Sequence, residues 1–180
     1  LQGIAEFLPI SSSGHLAVAK RLFGLGEVPI LYDVALHMAT LAAVLIVFRR
    51  RIFALFVSLG RWIARRSGAE DAENLRFILA VVVATAFTGV IGLGIEKLHP
   101  EEDMRIVSIG FIATALILVI SERLGARAAS KGAGRAPGIR EGAIVGIAQG
   151  IGVLPGVSRS GITISASLAS GVGREKAGEF

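Results

Sequence analysis

The stretch QGIAEFLPISSSGHL, residues 2–16, aligns without a gap with QGIGVLPGVSRSGIT, residues 149–163. The two copies share the Gln-Gly-Ile that opens each of them, and the two serines and the glycine near the end of each. The reactive residues that differ are Glu6 and His15 in the first copy and Arg159 and Thr163 in the second. A repeat that keeps its turn-forming residues and differs in its reactive ones indicates two half-sites that meet in one pocket.

The composition is typical of a membrane protein. Of 180 residues, 53% are hydrophobic, and the mean hydropathy is +0.69. The net charge of +5 comes largely from basic residues gathered in two blocks between apolar segments, which argues against a nucleic-acid partner. The absence of cysteine excludes disulfides and thiolate metal sites. We expect residues 1–180 to form one membrane domain and to be a fragment of a longer chain, because the sequence begins inside a motif.

Apolar segments predict three membrane-spanning helices, at residues 31–48, 75–95 and 104–120. Each approaches the roughly 20 residues that cross a hydrocarbon core of about 30 Å. The sequence of residues 49–73 favours an amphipathic helix on the membrane surface. Basic residues in 49–66 and 122–140 predict that these segments lie in the cytoplasm, and the acidic loop 96–103 is then predicted to lie outside.

The two repeat copies predict re-entrant helical hairpins, at residues 1–23 and 141–172. The tract that precedes Pro9 is too short to cross a membrane alone, and irregular backbone at membrane depth must be buried in protein or line a polar cavity. Three spans between the copies would make the hairpins enter from opposite faces. The predicted fold is therefore an all-α integral membrane helix bundle, with two re-entrant helical hairpins in an inverted-topology repeat.

The first hairpin carries groups suited to acid–base chemistry. Gln2 and Glu6 are four residues apart, so a helix places them on one face, and a glutamate at membrane depth needs a cation, a basic side chain or a proton as partner. The following SSSGH, residues 11–15, offers nucleophilic hydroxyls and the proton-carrying imidazole of His15. The structural alternative is that the serines cap a helix and His15 lies at the interface. Asp33 is a supporting candidate, with an interfacial position as its alternative.

The second hairpin carries a predicted anion site. Arg159 lies between Ser158 and Ser160, in a turn that contains Gly156 and precedes an apolar helix. Backbone N–H groups at a helix start bind anions, and a guanidinium fork suits phosphate oxygens. The alternative is an arginine that extends to the membrane interface. Together the two hairpins offer a carboxylate with metal affinity, a nucleophile or base, and an anion clamp, which are the parts of a phosphoryl-transfer site.

These motifs resemble those of the bacterial undecaprenyl pyrophosphate phosphatases. QGIAE, residues 2–6, is similar to their (E/Q)xxxE motif, and PGVSRSGIT, residues 155–163, fits PGxSRSxxT. FLPISSSGH, residues 7–15, is similar to the stretch that leads to their histidine. The resemblance implies a multi-pass enzyme of the bacterial cytoplasmic (inner) membrane that converts undecaprenyl diphosphate to the monophosphate. It also implies recycling of the peptidoglycan lipid carrier, bacitracin resistance and an active site open to the outer side.

The resemblance further implies a divalent cation, Mg²⁺ or Ca²⁺, and a set of residue roles. Glu6, with Gln2, would be the metal-associated or acid–base position, and Ser12 and His15 would serve as nucleophile and proton carrier. The diphosphate-binding residues would be Arg159, Gly156, Ser158, Ser160 and Thr163. The supporting residues would be Ser11, Ser13 and Asp33. The attacking atom (serine, histidine or water), the identity of the metal and the formation of a homodimer stay open.

Two other functions fit parts of the pattern. A polyprenyl-phosphate transporter or flippase would share the inverted repeat and Arg159, but only hydrolysis needs Glu6 and His15 as proton handlers. A type 2 phosphatidic acid phosphatase also uses Ser-Gly-His and Ser-Arg elements. This sequence lacks the second histidine and the upstream Lys/Arg-Pro motif of that family. We therefore expect a phosphatase whose partners are a polyprenyl diphosphate and membrane lipids.

Overall fold

The computed structural model describes residues 2–24, 30–97, 103–129 and 136–180. The regular elements in these ranges are helices, which confirms the predicted all-α class for this part of the chain. The helices are α1 Gln2–Ala5, α2 Ser12–Leu22, α3 Ile30–Val47, α4 Arg49–Ile63, α5 Ala72–Glu96, α6 Met104–Ala129, α7 Ile139–Ile151, α8 Arg159–Ala169 and α9 Arg174–Glu179. Most of the predicted acidic loop and the centre of the second basic segment lie outside the described residues.

Two stretches of the described chain are long and apolar enough to cross a membrane, Ala69–Glu96 with 28 residues and Met104–Arg123 with 20. They contain the segments for which the second and third spans are predicted. The predicted first span coincides with α3, whose apolar part is the shorter stretch Val34–Val47. Membrane crossing by α3 therefore stays a prediction.

Helix α4 lies where the sequence predicts an amphipathic helix. Phe53, Phe56 and Trp62 are exposed on it, whereas Ser58 is buried and donates a hydrogen bond of 2.8 Å to Asp71 Oδ1 at the start of α5. Arg51 donates a hydrogen bond of 2.8 Å to Asn74 Oδ1. These polar contacts hold α4 against the first turn of α5. A position on the membrane surface stays a prediction for α4.

Helix α7 packs closely along α5 because small residues recur at every fourth position of α7. A Cβ atom added to Gly142 would lie 2.4 Å from the carbonyl oxygen of Ala80, and one added to Gly146 would lie 2.5 Å from that of Ala84. Thr88 Oγ1 donates a hydrogen bond of 3.1 Å to the carbonyl oxygen of Gly146. Such spacing of small residues lets helix backbones approach each other within a membrane. This packing fixes the position of α7, the helix that leads into the turn of the second repeat copy.

Gly146→Ala is expected to lower the thermal unfolding temperature of the full-length protein in detergent. The added methyl group would displace the α5 backbone, and overpacking of this kind costs about 1–3 kcal/mol. Gly89→Ala on α5 is the matched control, because a Cβ atom there meets nothing within 4 Å. Its unfolding temperature should be unchanged or higher, since alanine favours helices more than glycine does. Equal unfolding temperatures for the two variants would contradict the close packing of α7 on α5.

Candidate functional site

The two repeat copies fold into helix–turn–helix units whose second helices are capped in the same way. Ser11 Oγ accepts a hydrogen bond of 3.3 Å from the Gly14 N–H, and Ser158 Oγ accepts one of 3.1 Å from the Gly161 N–H. Both capping serines are buried, with 4% and 2% of their surface exposed. A serine cap satisfies an N–H group that the first turn of a helix leaves without a partner. Capping therefore accounts for the Ser and Gly positions that the copies share.

The serine two residues after each capping serine also occupies an equivalent place. Ser13 Oγ lies 3.5 Å from Ser11 Oγ in the first copy, and Ser160 Oγ lies 3.3 Å from Ser158 Oγ in the second. Ser160 Oγ also donates a weak hydrogen bond of 3.4 Å to the carbonyl oxygen of Leu8, which belongs to the first copy. The two turns are thus in direct contact, as the alignment predicts.

A cavity of about 70 Å³ lies where the two turns meet, and His37 of α3 also lines it. Its polar lining residues are Glu6, Ser11, Ser12, Ser13, His37, Ser158, Arg159 and Ser160. Seven of these eight are residues that the sequence predicts for the site, and the eighth is His37 on α3. The structure therefore brings a carboxylate, several hydroxyls and a guanidinium together around one small space.

Glu6 and Ser12 form a short polar contact in the cavity. Ser12 Oγ donates a hydrogen bond of 2.6 Å to Glu6 Oε2. Hydrogen bonds from a hydroxyl to a carboxylate have such short lengths, and they draw the proton away from the oxygen. Ser11, the residue before Ser12, has a φ of 63°, which residues other than glycine seldom adopt and which is typical of functional turns. The pair is therefore arranged as a hydroxyl with its proton acceptor.

Arg159 supplies the positive charge of the cavity. It is the first residue of α8 and is exposed. Among the described side chains, no carboxylate forms an ion pair with it. A cation at a helix N-terminus lies at the positive end of the helix dipole, so this position does not stabilise α8. The guanidinium and the helix N-terminus together form a site that favours an anion.

His15 lies beside the cavity and is not one of its lining residues. Its Nδ1 is 2.8 Å from the Ser11 carbonyl oxygen, and its ring packs edge-on against Phe111 at a centroid distance of 5.0 Å. Because a carbonyl oxygen can only accept, Nδ1 carries the proton in the neutral ring and Nε2 carries the lone pair. The imidazole is thereby held in one orientation, with Nε2 able to accept a proton.

Thr163 and Gly156 also lie outside the cavity wall. Thr163 Oγ1 donates to the carbonyl oxygens of Arg159 at 2.9 Å and Ser160 at 3.2 Å, so its proton is engaged within α8. Gly156 has a φ of 87°, and a Cβ atom there would lie 2.2 Å from the Val107 carbonyl oxygen. Gly156 therefore shapes the turn. The side chains of Gln2 and Asp33 lie outside the described part of the structure.

The motifs do not predict two residues of the site, His37 and Thr114. His37 has one sequence signal, because it lies four residues after Asp33 and so shares a helix face with it. Thr114 has none: it is buried in α6, and its hydroxyl bonds to backbone groups of Gly156 and Ser158 more than 40 positions away. Contacts between residues so far apart in the sequence cannot be predicted from local sequence.

The donor set of the cavity suits a cation that is shared with a phosphate ligand. Among the described residues there is no group of three or more His, Cys, Asp or Glu side chains placed to hold a metal ion. Glu6 offers a carboxylate, and the serines beside it offer hydroxyl oxygens. Mg²⁺ in proteins is commonly held by one or two carboxylates together with the phosphates of a substrate. The described residues thus supply one carboxylate and neighbouring hydroxyls as oxygen donors for the predicted cation.

Known proteins match the whole chain, including both motif-bearing repeat copies. Residues 1–180 match the family described as bacitracin resistance protein BacA. Proteins named undecaprenyl-diphosphatase align with all of the chain at 52% identity in Treponema denticola, 41% in Borrelia recurrentis and 39% in Desulfosudis oleivorans. The chain spans 65%, 66% and 67% of the lengths of these three relatives, which is about two thirds.

The family match agrees with the helical structure. The two long apolar stretches are long and apolar enough to cross a membrane, and the matched residues include both repeat copies. The extent of the match, over every residue of the chain, exceeds what a shared motif alone would produce. This helical membrane protein belongs to the bacitracin resistance protein BacA family.

Proposed function

We propose that the full-length form of this protein hydrolyses undecaprenyl diphosphate to undecaprenyl phosphate and inorganic phosphate. The observation that carries the proposal is the single cavity in which the Glu6–Ser12 pair lies with Arg159 and Ser160. The names of the relatives supply the substrate. The reaction would recycle the lipid carrier of peptidoglycan synthesis and would confer resistance to bacitracin.

The geometry favours Ser12 as the attacking group. Arg159 would bind the diphosphate oxygens and hold the terminal phosphorus near Ser12 Oγ. As Ser12 Oγ forms its bond to that phosphorus, its proton passes to Glu6, and the bridging P–O bond breaks. Glu6 then returns the proton to the departing lipid monophosphate. In the second step water attacks the phosphoserine, its proton passes to Glu6, and the bond between Ser12 Oγ and phosphorus breaks. Glu6 then passes that proton to Ser12 Oγ, which restores the starting state.

A divalent cation, Mg²⁺ or Ca²⁺, would be held by Glu6 and, as the sequence predicts, by Gln2. When bound, it would neutralise charge on the diphosphate. His15 lies on α2 three residues after Ser12, and its Nε2 would accept or return protons during turnover.

Phosphate release from undecaprenyl diphosphate is the test of the proposed function. The full-length protein in detergent is expected to release phosphate with Mg²⁺ or Ca²⁺, to stop when EDTA is added, and to resume when the cation is restored. Release that continues after exhaustive chelation would remove the cation from the proposal while leaving the hydrolysis. No release from a folded preparation would contradict the phosphatase and favour a transporter that uses the same pocket.

We also propose that the two helix–turn–helix units are re-entrant hairpins of opposite orientation, in a multi-pass protein of the inner membrane whose site opens to the outer side. The matched serine caps and the direct contact of the two turns support this arrangement. Single cysteines introduced at residue 67 and at residue 103 can be labelled from each side of the membrane, which measures the side on which each residue lies. Labelling of residue 67 and residue 103 from the same side would contradict the proposed orientation.

A further inference from the structure

The hydroxyl of Thr114 on α6 forms hydrogen bonds to the turn of the second repeat copy both as a donor and as an acceptor. Its Oγ1 donates a hydrogen bond of 2.8 Å to the Gly156 carbonyl oxygen and accepts one of 2.9 Å from the Ser158 N–H. The side chain is only 5% exposed. One hydroxyl thus bridges the two backbone groups that flank Val157.

These backbone groups need a partner because the chain is irregular where they lie. The turn between α7 and α8 is not helical, and Gly156 at its centre has a φ of 87°. Buried backbone N–H and C=O groups without partners destabilise the folded state, so an irregular buried turn depends on side chains for its hydrogen bonds. Ser158 Oγ caps α8 by accepting from the Gly161 N–H, and the partner of the Ser158 N–H is Thr114 Oγ1.

Other threonines of the apolar helices use their hydroxyls differently. Thr88 Oγ1, which also contacts the Gly146 carbonyl oxygen of α7, and Thr85 Oγ1 each donate to a carbonyl oxygen four residues earlier in the same helix, that of Ala84 and that of Val81. This bond to the preceding helical turn is the usual one for threonine within a helix. The Thr114 hydroxyl bonds to the second turn of the repeat, which indicates a role in placing that turn.

The face of α6 around Thr114 is shaped to receive the turn. Gly110 lies one helical turn before Thr114, and a Cβ atom there would lie 2.4 Å from the Pro155 carbonyl oxygen. The glycine admits the turn, and the threonine fixes it by hydrogen bonds. Arg159 and Ser160 follow directly after Ser158, so the position of their backbone depends on the bonds that Thr114 makes.

We propose that Thr114 is a positioning residue of the diphosphate site, and that it holds the turn from which Arg159 and Ser160 reach the cavity. Thr114 is not a lining residue of the cavity, so it acts through the backbone of Ser158. The inference rests on the proposed function. A shift of the guanidinium by about 1 Å is enough to lower turnover roughly 100-fold, because phosphoryl transfer depends on alignment.

The test compares variants of the full-length protein in detergent. Thr114→Val and Thr114→Ala remove the hydroxyl, Thr114→Ser keeps it, and Thr88→Val is the matched control, since it removes a threonine hydroxyl that bonds to another helix away from the turn. We expect Thr114→Val and Thr114→Ala to lower kcat/KM for phosphate release roughly 10- to 100-fold, with KM raised. Thr114→Ser and Thr88→Val should stay close to the wild type.

Hydrogen exchange of the peptide that spans residues 155–161 gives a second readout. It should speed up in Thr114→Val and Thr114→Ala and remain slow in Thr88→Val and Thr114→Ser. Wild-type exchange at this peptide in both variants that lack the hydroxyl would overturn the inference, as would a kcat/KM equal to that of Thr88→Val. If the wild type releases no phosphate, the proposed function fails, whereas faster exchange in Thr114→Val would still support a role of Thr114 in holding the turn.

Discussion

Arg159→Ala is expected to lower kcat/KM for phosphate release from undecaprenyl diphosphate by about 1,000-fold. Arg159 is the cation on the cavity wall, and it lies at the helix start where an anion would bind. Without the guanidinium, the diphosphate would lose its cationic side-chain partner among the described residues that line the cavity, and the terminal phosphorus would be held less firmly near Ser12. Steady-state phosphate release by the full-length protein in detergent measures the effect.

Two further variants separate the role of Arg159 from the loss of a surface charge. Arg159→Lys keeps the charge but loses the two-pronged contact, so it should retain an intermediate kcat/KM. Arg174→Ala is the matched control, because Arg174 is also exposed and is also the first residue of its helix, α9, but does not line the cavity. It should leave kcat/KM unchanged. Full activity of a folded Arg159→Ala protein would remove Arg159 from the proposed diphosphate site.

Glu6→Gln should have a comparable effect, with kcat lowered by about 1,000- to 10,000-fold. The amide has nearly the same shape as the carboxylate and can still contact Ser12, but it cannot take the Ser12 proton. It also lacks the negative charge that a divalent cation needs. The measurement is kcat for phosphate release over a range of Mg²⁺ concentrations, with the unfolding temperature as a check on folding.

Glu141→Gln is the control for the loss of a glutamate. Glu141 Oε2 accepts a hydrogen bond of 3.0 Å from the Gly138 N–H at the start of α7, and its side chain does not line the cavity. Its replacement should change stability slightly and leave kcat unchanged. A Glu6→Gln protein with the kcat of the wild type would refute both the proton transfer to Glu6 and its contact with the cation.

The helices and the capped turns could be predicted because their causes are local. A long apolar run forms a helix in a membrane wherever it occurs, and a serine just before the first helical residue caps the helix by accepting a hydrogen bond from an N–H group of its first turn. The repeat adds one piece of non-local information, since two similar turns with different reactive residues indicate a shared site. On this basis the sequence singles out Glu6, His15, Arg159 and Thr163, and of these the structure places Glu6 and Arg159 on the cavity wall. Ser12, which also lines the cavity, is singled out by the family resemblance.

The remaining features depend on contacts that the local sequence does not contain. Thr163 matches a motif, but within a helix its hydroxyl bonds to the preceding turn, and the residue does not line the cavity. Thr114 matches no motif, and its importance comes from the packing of α6 against a turn distant in sequence. His37 reaches the cavity because α3 packs beside α1, which no spacing rule predicts.

The equivalent caps carry a consequence for how such a pocket can evolve. Ser12 and Arg159 occupy the same position in the two copies, immediately after the capping serine and first in the helix. The hydrogen bonds that build each turn come from the neighbouring residues, so this one position is free to vary without loss of the turn. After a gene duplication, a single substitution at this position would let one hairpin keep a hydroxyl while the other acquired a cation. A chain that began with two identical halves could thereby place the nucleophile in one half and the anion-binding residue in the other.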